Sequence, residues 1–97
     1  MFEVQQTAIY AKWFASLRDR VAKARIATRI LYLGDGNFGD AKSVGDAVYE
    51  LRLHFGPGYR VYFTRRGERI ILLLCGGDKG SQNRDIARAK QIESELE

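Results

Sequence analysis

The chain is poor in the residues that staple or anchor a protein. It has one cysteine, Cys75, so an internal disulfide is excluded. A thiol closing an apolar run reads instead as a buried structural group of a reducing compartment. No stretch approaches the ~20 apolar residues that span a bilayer. No apolar segment follows Phe2-Glu3-Val4 as a signal peptide requires. A cytoplasmic protein with no membrane partner is the expectation. No repeat, low-complexity tract or linker interrupts the 97 residues, so one domain over 1–97 is expected. Charge of one sign is lacking too: sixteen Lys and Arg stand against twelve Asp and Glu, a net +4. That balance suits a nucleic-acid or acidic-protein partner without selecting either.

With 45% hydrophobic residues, the composition suffices for a modest core without a metal. Residues 4–9 read as a short edge strand. Residues 11–17 turn helical, with Trp13, Phe14 and Leu17 inward. Asp19 is placed to cap a second helix reaching about Leu33, antiparallel to the first. Val21, Ala24, Thr28 and Leu31 form its apolar stripe, widened by Ile26, Ile30 and Leu33. Gly34-Asp35-Gly36-Asn37-Phe38-Gly39-Asp40 is a loop. Its Gly-x-Gly follows a helix and precedes a strand, the reverse of a dinucleotide fingerprint. No cofactor, metal or small-molecule ligand is expected. Extended segments follow at 41–44, 48–55, 59–65 and 69–75, and Ser81 is a plausible cap for a last helix. The order β-α-α-β-β-β-α predicts an α+β fold: a small, antiparallel-dominated sheet with an N-terminal helical hairpin and a C-terminal helix.

The most informative stretch is 50–63. Tyr49, Leu51, Leu53 and Phe55 alternate with Glu50, Arg52 and His54, so the latter three share a face. The only proline, Pro57, stands between Gly56 and Gly58 in the turn, and Arg60 follows on the neighbouring strand. A row with a carboxylate, a guanidinium and an imidazole suits a polyanion and acid–base work on it.

The pieces Asn37-Phe38-Gly39-Asp40, Glu50-Leu51-Arg52, Gly56-Pro57-Gly58-Tyr59-Arg60-Val61-Tyr62 and Cys75-Gly76-Gly77-Asp78-Lys79 together resemble the RelE/ParE toxin superfamily. Within it, the closest likeness is to the HigB-like, phage Gp49-related branch of addiction-module killer proteins. The likeness runs from Trp13 to the last helix. It implies a type II toxin with a RelE-like fold, neutralised by a cognate antitoxin, usually a small helix-turn-helix protein. Most RelE-like members enter the ribosome and cut mRNA, turning the RNA's own 2′-hydroxyl on the adjacent phosphate without a metal. ParE-like members inhibit DNA gyrase instead. A ribosome-dependent mRNA interferase is the expected activity, with a gyrase inhibitor or a non-toxic binding module as alternatives.

Such a cleavage needs a proton taken from the 2′-oxygen, charge held on phosphorus and a proton for the leaving 5′-oxygen. Arg60 matches the arginine of the family's Tyr-Arg-Val motif and reads as the phosphate clamp, or else as an ion pair with Glu50. Arg52 reads as a second clamp or a solvated surface arginine. Lys79, after a glycine turn, reads as a cation that stabilises the transition state or protonates the leaving oxygen, or else as a mobile surface lysine. His54, the only histidine, suits an acid or base at neutral pH. Glu50 is the other candidate base, or the group that orients an arginine. Tyr62 reads equally as a ring that stacks on a base or as one that packs in the fold. Lys23, Arg25 and Arg29, with Arg18, form either a solvated helix face or a contact to RNA. The tyrosine that some RelE members carry on the last helix has no counterpart; Ile86 falls near that place.

Overall fold

A computed structural model describes residues 1–96. Strand β1 (Glu3–Gln6) leads into helices α1 (Ala8–Ser16) and α2 (Arg20–Gly34). Strands β2 (Ala41–Gly45), β3 (Val48–Arg52), β4 (Arg60–Arg66) and β5 (Ile70–Gly77) follow, then a short 3-10 turn (Lys79–Ser81) and helix α3 (Gln82–Ser94). The sheet order is β1-β5-β4-β3-β2, with β1 parallel to β5 and the other pairs antiparallel. The α+β class holds, and Ala41–Gly45 enters as a strand in its own right, so four strands rather than three separate α2 from α3. No helix among the described residues is long and apolar enough to cross a membrane.

The first helix begins earlier than the apolar pattern suggested because Thr7 caps it. Its hydroxyl accepts from the Tyr10 amide at 3.0 Å and donates to the Leu74 carbonyl at 2.7 Å, fixing α1 to β5. Asp19 caps α2 as expected, accepting from the Val21 and Ala22 amides. Ser81 does not cap α3 with its side chain; its hydroxyl is directed to the Asp85 carboxylate, and Asp78 caps the preceding turn.

Both faces of the sheet are covered. Leu51, Leu53, Val61, Phe63, Ile71 and Leu73 meet Tyr10, Ile26 and Leu33 beneath α1 and α2. Val48, Tyr62, Leu74 and Cys75 meet Ala89 beneath α3. A bulge between Tyr62 and Phe63 shifts the β4–β5 register, which puts Leu74 and Cys75 in the same layer. Burial, with the charge of Asp85, pushes the Cys75 thiol up to about 12, the inert structural thiol expected. Strand β5 outruns its expected end by crossing Gly76 and Gly77. A Cβ at Gly76 would lie 2.3 Å from the Trp13 ring, and one at Gly77 would lie 1.8 Å from the Asp85 carboxylate. The missing side chains are therefore what lets α1 and α3 approach the sheet here.

The β2–β3 turn holds Asp46 and Ala47 at φ 54° and 64°, both left-handed. That geometry matches the strand twist but favours Asn-Gly over Asp-Ala. Ala47→Gly is expected to stabilise the protein by roughly 1 kcal/mol. A thermal melt should show that as a rise of about 4–8 °C. An unchanged or lower midpoint would mean the turn carries no strain.

Candidate active site

At the C-terminal end of β3 the chain leaves the sheet after Arg52. Residues 53–59 form a loop closed by the Leu53 amide on the Tyr59 carbonyl (3.0 Å) and the Gly58 amide on the Phe55 carbonyl (3.0 Å). Gly56 and Gly58 sit at φ 55° and 77°, which the loop's two bends require. Beside it lies an open cleft of about 620 Å³ lined by Arg52, His54, Arg60, Lys79, Gln82 and the turn around Pro57. Four of the five expected catalytic residues thus line one cleft, and no carboxylate lines it.

Arg60 forms the back wall. It is only 6% exposed, and its Nη1 donates to the carbonyls of Gly58 (2.9 Å) and Tyr59 (3.2 Å). Its Nε is buried without a partner, and no carboxylate lies within ion-pair distance among the described residues. The alternative of an Arg60–Glu50 pair is therefore not realised. Arg52 stands directly opposite Arg60 across β3 and β4. Like charges in that position repel. Lys79 packs near Gly58, its amide on the Pro57 carbonyl at 3.4 Å, and keeps its side chain exposed.

Glu50 differs from the expectation of an open polar face. Because α3 covers this side of the sheet, Glu50 is fully buried. One oxygen accepts from Arg52 Nε at 2.8 Å; the other accepts from the Tyr62 hydroxyl at 3.0 Å and Gln82 Nε2 at 2.8 Å. Burial alone would raise its pKa, but the hydrogen bonds from Arg52, Gln82 and Tyr62 together hold it below the ordinary glutamate range. Its lone pairs are engaged beneath Arg52, so the geometry fits the orienting role and not that of a base. The same bond raises the Arg52 pKa further.

Tyr62 must be corrected. It is wholly buried with its hydroxyl on Glu50, and burial followed by the Glu50 charge pushes its pKa well up, so it presents no ring for stacking. Lys23, Arg25 and Arg29 do not form one basic face either. Lys23 turns to α1, over the Phe14 ring and towards the Ala15 carbonyl. Arg25 lies over Phe55 at 4.8 Å. Arg29 donates to the Arg52 carbonyl at 2.8 Å and packs where a Gly39 side chain would be.

Two residues of the site escaped the sequence reading. Gln82, first in α3, holds Glu50. Asp40 bonds His54 Nε2 through its carboxylate; that bond is the main cause of a lowered Asp40 pKa, with the charges of His54, Arg52 and Arg29 adding and slight burial opposing. The β2–β3 register brings them together: Ala41 pairs with Leu51, and the Arg52 amide bonds the Asp40 carbonyl at 2.9 Å. Among the described residues no group of three His, Cys, Asp or Glu side chains is placed to hold a metal.

The family model described as phage-derived protein Gp49-like (DUF891) matches residues 12–96. The chain belongs to the Gp49-like family. That family lies within the RelE/ParE toxin superfamily. A Haemophilus influenzae protein described only as uncharacterized is 45% identical over 94 residues, covering 97% of this chain and 95% of that protein. Among solved structures, a mutant of the E. coli toxin RelE in the free state superimposes with a TM-score of 0.74 over 98% of both chains, at 12% identity. At that identity the likeness shows the fold alone. Membership in the Gp49-like family, with its RelE-like fold, implies a toxin of a toxin–antitoxin pair and hence an antitoxin partner in general.

Proposed function

We propose that this Gp49-like toxin cleaves mRNA on the ribosome, in the cytoplasm, as a single catalytic domain. The observation that carries the reading is Arg60: a buried guanidinium without a carboxylate, its Nε unpartnered, on a cleft walled by two more cations. A buried cation without a counter-charge, set on a cleft among other cations, is the arrangement that receives an anion. Arg60 and Arg52 then grip the scissile phosphate, and Lys79 offsets the charge that builds on phosphorus and the leaving oxygen. His54, oriented by Asp40, moves the proton of the 2′-hydroxyl. The 2′-oxygen bonds to phosphorus as the bond to the 5′-oxygen breaks, and Lys79 gives that oxygen its proton, leaving a cyclic phosphate and a free 5′-hydroxyl. Glu50 holds Arg52 in place and takes no proton.

The reading is tested by brief induction in a host cell and mapping of new RNA 5′ ends. Ends inside translated codons, lost when initiation is blocked, are expected. Growth arrest without such ends but with inhibited supercoiling would assign the toxin to gyrase.

Asp40 acts in this scheme as a positioning residue. Asp40→Asn is expected to slow single-turnover cleavage by about tenfold to a hundredfold, at or below the range for losing an acid–base group outright. Ribosome affinity should be unchanged and Asp40→Glu should recover part of the rate. Because His54 is the chain's only histidine, its ¹⁵N imidazole resonances report the tautomer directly. A spectrum and rate indifferent to Asp40→Asn would remove Asp40 from the site.

A further inference from the structure

Past Lys79 the cationic surface continues onto α3. Ile86, Ala89 and Ile92 pack that helix on the sheet, and its outer side carries Asn83, Arg84, Ala87, Arg88 and Gln91, all exposed. Arg84, Arg88 and Gln91 follow one another at helical spacing and form a single stripe. Neither arginine has an ion pair among the described residues. The helix itself gains nothing from them. Arg84 lies in the first turn, where the helix dipole disfavours a cation. Arg88 stands four residues on, where a like charge repels. Lys79, Gln82, Asn83 and Arg84 line a recess of about 220 Å³ over the turn before α3. Lys79 and Gln82 also line the cleft in front of Arg60, so cleft and recess are continuous, and no carboxylate lines either.

We propose that this stripe carries the RNA strand on the 3′ side of the cut, with Arg84 and Arg88 on its phosphates. The direction rests on the roles proposed above for His54 and Lys79 and follows from the order of the strands. His54 follows β3, Arg60 opens β4 and Lys79 follows β5, all at one end of the sheet, and β4 lies between the other two. The attacking and leaving oxygens stand roughly in line through phosphorus. His54 serves the 2′-oxygen, which belongs to the nucleotide on the 5′ side. Lys79 serves the 5′-oxygen, which belongs to the nucleotide on the 3′ side. The 3′ strand therefore leaves the cleft past Lys79, and the next cations it meets are Arg84 and Arg88. Arginine, asparagine and glutamine are side chains that contact phosphate and sugar. An acidic protein segment would want an apolar floor between the charges, and Ala87 is the only apolar side chain exposed there. Contacts to the backbone hold any sequence alike, so the stripe adds affinity and leaves base preference to the cleft.

Two measurements on the full chain test this. In the first, the wild type and the double variants Arg84→Glu/Arg88→Glu and Arg84→Gln/Arg88→Gln bind a fluorescent oligothymidylate DNA, which lacks the 2′-hydroxyl and cannot be cut. Affinity is expected to fall at least about tenfold for the glutamate pair, and the salt slope should shrink by about 1.4 for the glutamine pair, the share of two phosphates. Glutamate suits the first turn of a helix, and circular dichroism verifies that both variants fold. No binding by the wild type, or equal affinity and slope in all three proteins, would overturn the proposal. In the second, single-turnover cleavage is followed on ribosome-bound mRNAs shortened stepwise on the 3′ side of the cut. The half-saturating concentration of wild type should rise as the strand is shortened past the stripe. For the glutamate pair it should start high and stay independent of length, with the limiting rate changing less. A wild type indifferent to length, with the variant weaker on every mRNA, would give α3 to the ribosome and overturn the assignment. Cleavage by none of the proteins, with the first result as expected, would overturn the nuclease reading and the direction of the strand, and would keep the stripe as a nucleic-acid track.

Discussion

Arg60→Ala is expected to lower single-turnover cleavage by about 10²–10³-fold, the usual cost of removing a preorganised donor from a developing oxyanion. Growth arrest on induction should vanish with it. The same substitution should leave the melting temperature unchanged or raise it. In the free protein Arg60 is a buried cation with an unpartnered Nε, facing Arg52 across the sheet. Each of those features costs stability. What Arg60 contributes to the fold is two bonds to the carbonyls of Gly58 and Tyr59. Removing a charge that the fold holds at its own expense trades activity for stability. Arg60→Met, which keeps most of the apolar volume, should show the gain more clearly. Arg60→Lys keeps the charge but not the fork, and should lose most of the rate. A fully toxic Arg60→Ala protein would refute the site. An inactive protein that melts much lower would make Arg60 a structural residue.

Different parts of this molecule were legible in the sequence for different reasons. The alternation of Tyr49, Leu51, Leu53 and Phe55 is a period-two signal bounded by a glycine–proline turn, and their side chains do face the α1–α2 layer. Glu50 obeys the same alternation, yet its depth is set by α3, which folds back from more than thirty residues away. No local pattern carries that. On α2 the sequence reads as one wide apolar stripe, yet Ile26 and Leu33 are buried while Val21, Ala24, Thr28 and Leu31 face solvent, because periodicity does not say which part meets the sheet; the arginines do not decide it, since Arg25 and Arg29 flank the exposed part and Arg29 is tucked against the β3 backbone. Asp40 was recoverable in principle, because a turn at 45–47 sets 41 against 51 and so 40 beside 52. Arg60 was singled out by its Tyr-Arg-Val context, but the lack of a carboxylate beside it is a property of the packed structure.

Glu50 joins the fold to the cleft, and its replacement should affect both. Glu50→Ala leaves the Tyr62 hydroxyl and the Gln82 amide without an acceptor and Arg52 without its counter-charge. Breaking a buried pair from one side costs about 3–5 kcal/mol. Glu50→Gln keeps the shape but turns an amide group towards donors, and should cost about 1–3 kcal/mol. The carboxyl pKa is lower in the folded protein than the ordinary 4.5. Its contribution is therefore fully present above that value and is lost as the pH falls through the folded pKa. The gap in unfolding free energy between the wild type and Glu50→Gln should thus be constant near neutrality and close on acidification below pH 4.5. The acid-labile Asp40–His54 pair is present in both proteins and cancels from the difference. Denaturant titrations at a series of pH values measure the gap. A gap that does not depend on pH would mean the carboxylate charge contributes nothing, and that Glu50 acts by shape alone. Cleavage by Glu50→Gln should fall with Arg52→Ala as the ceiling, because the carboxylate acts on the reaction only through that arginine. A loss well beyond that ceiling, in protein shown to be folded, would return Glu50 to the role of base.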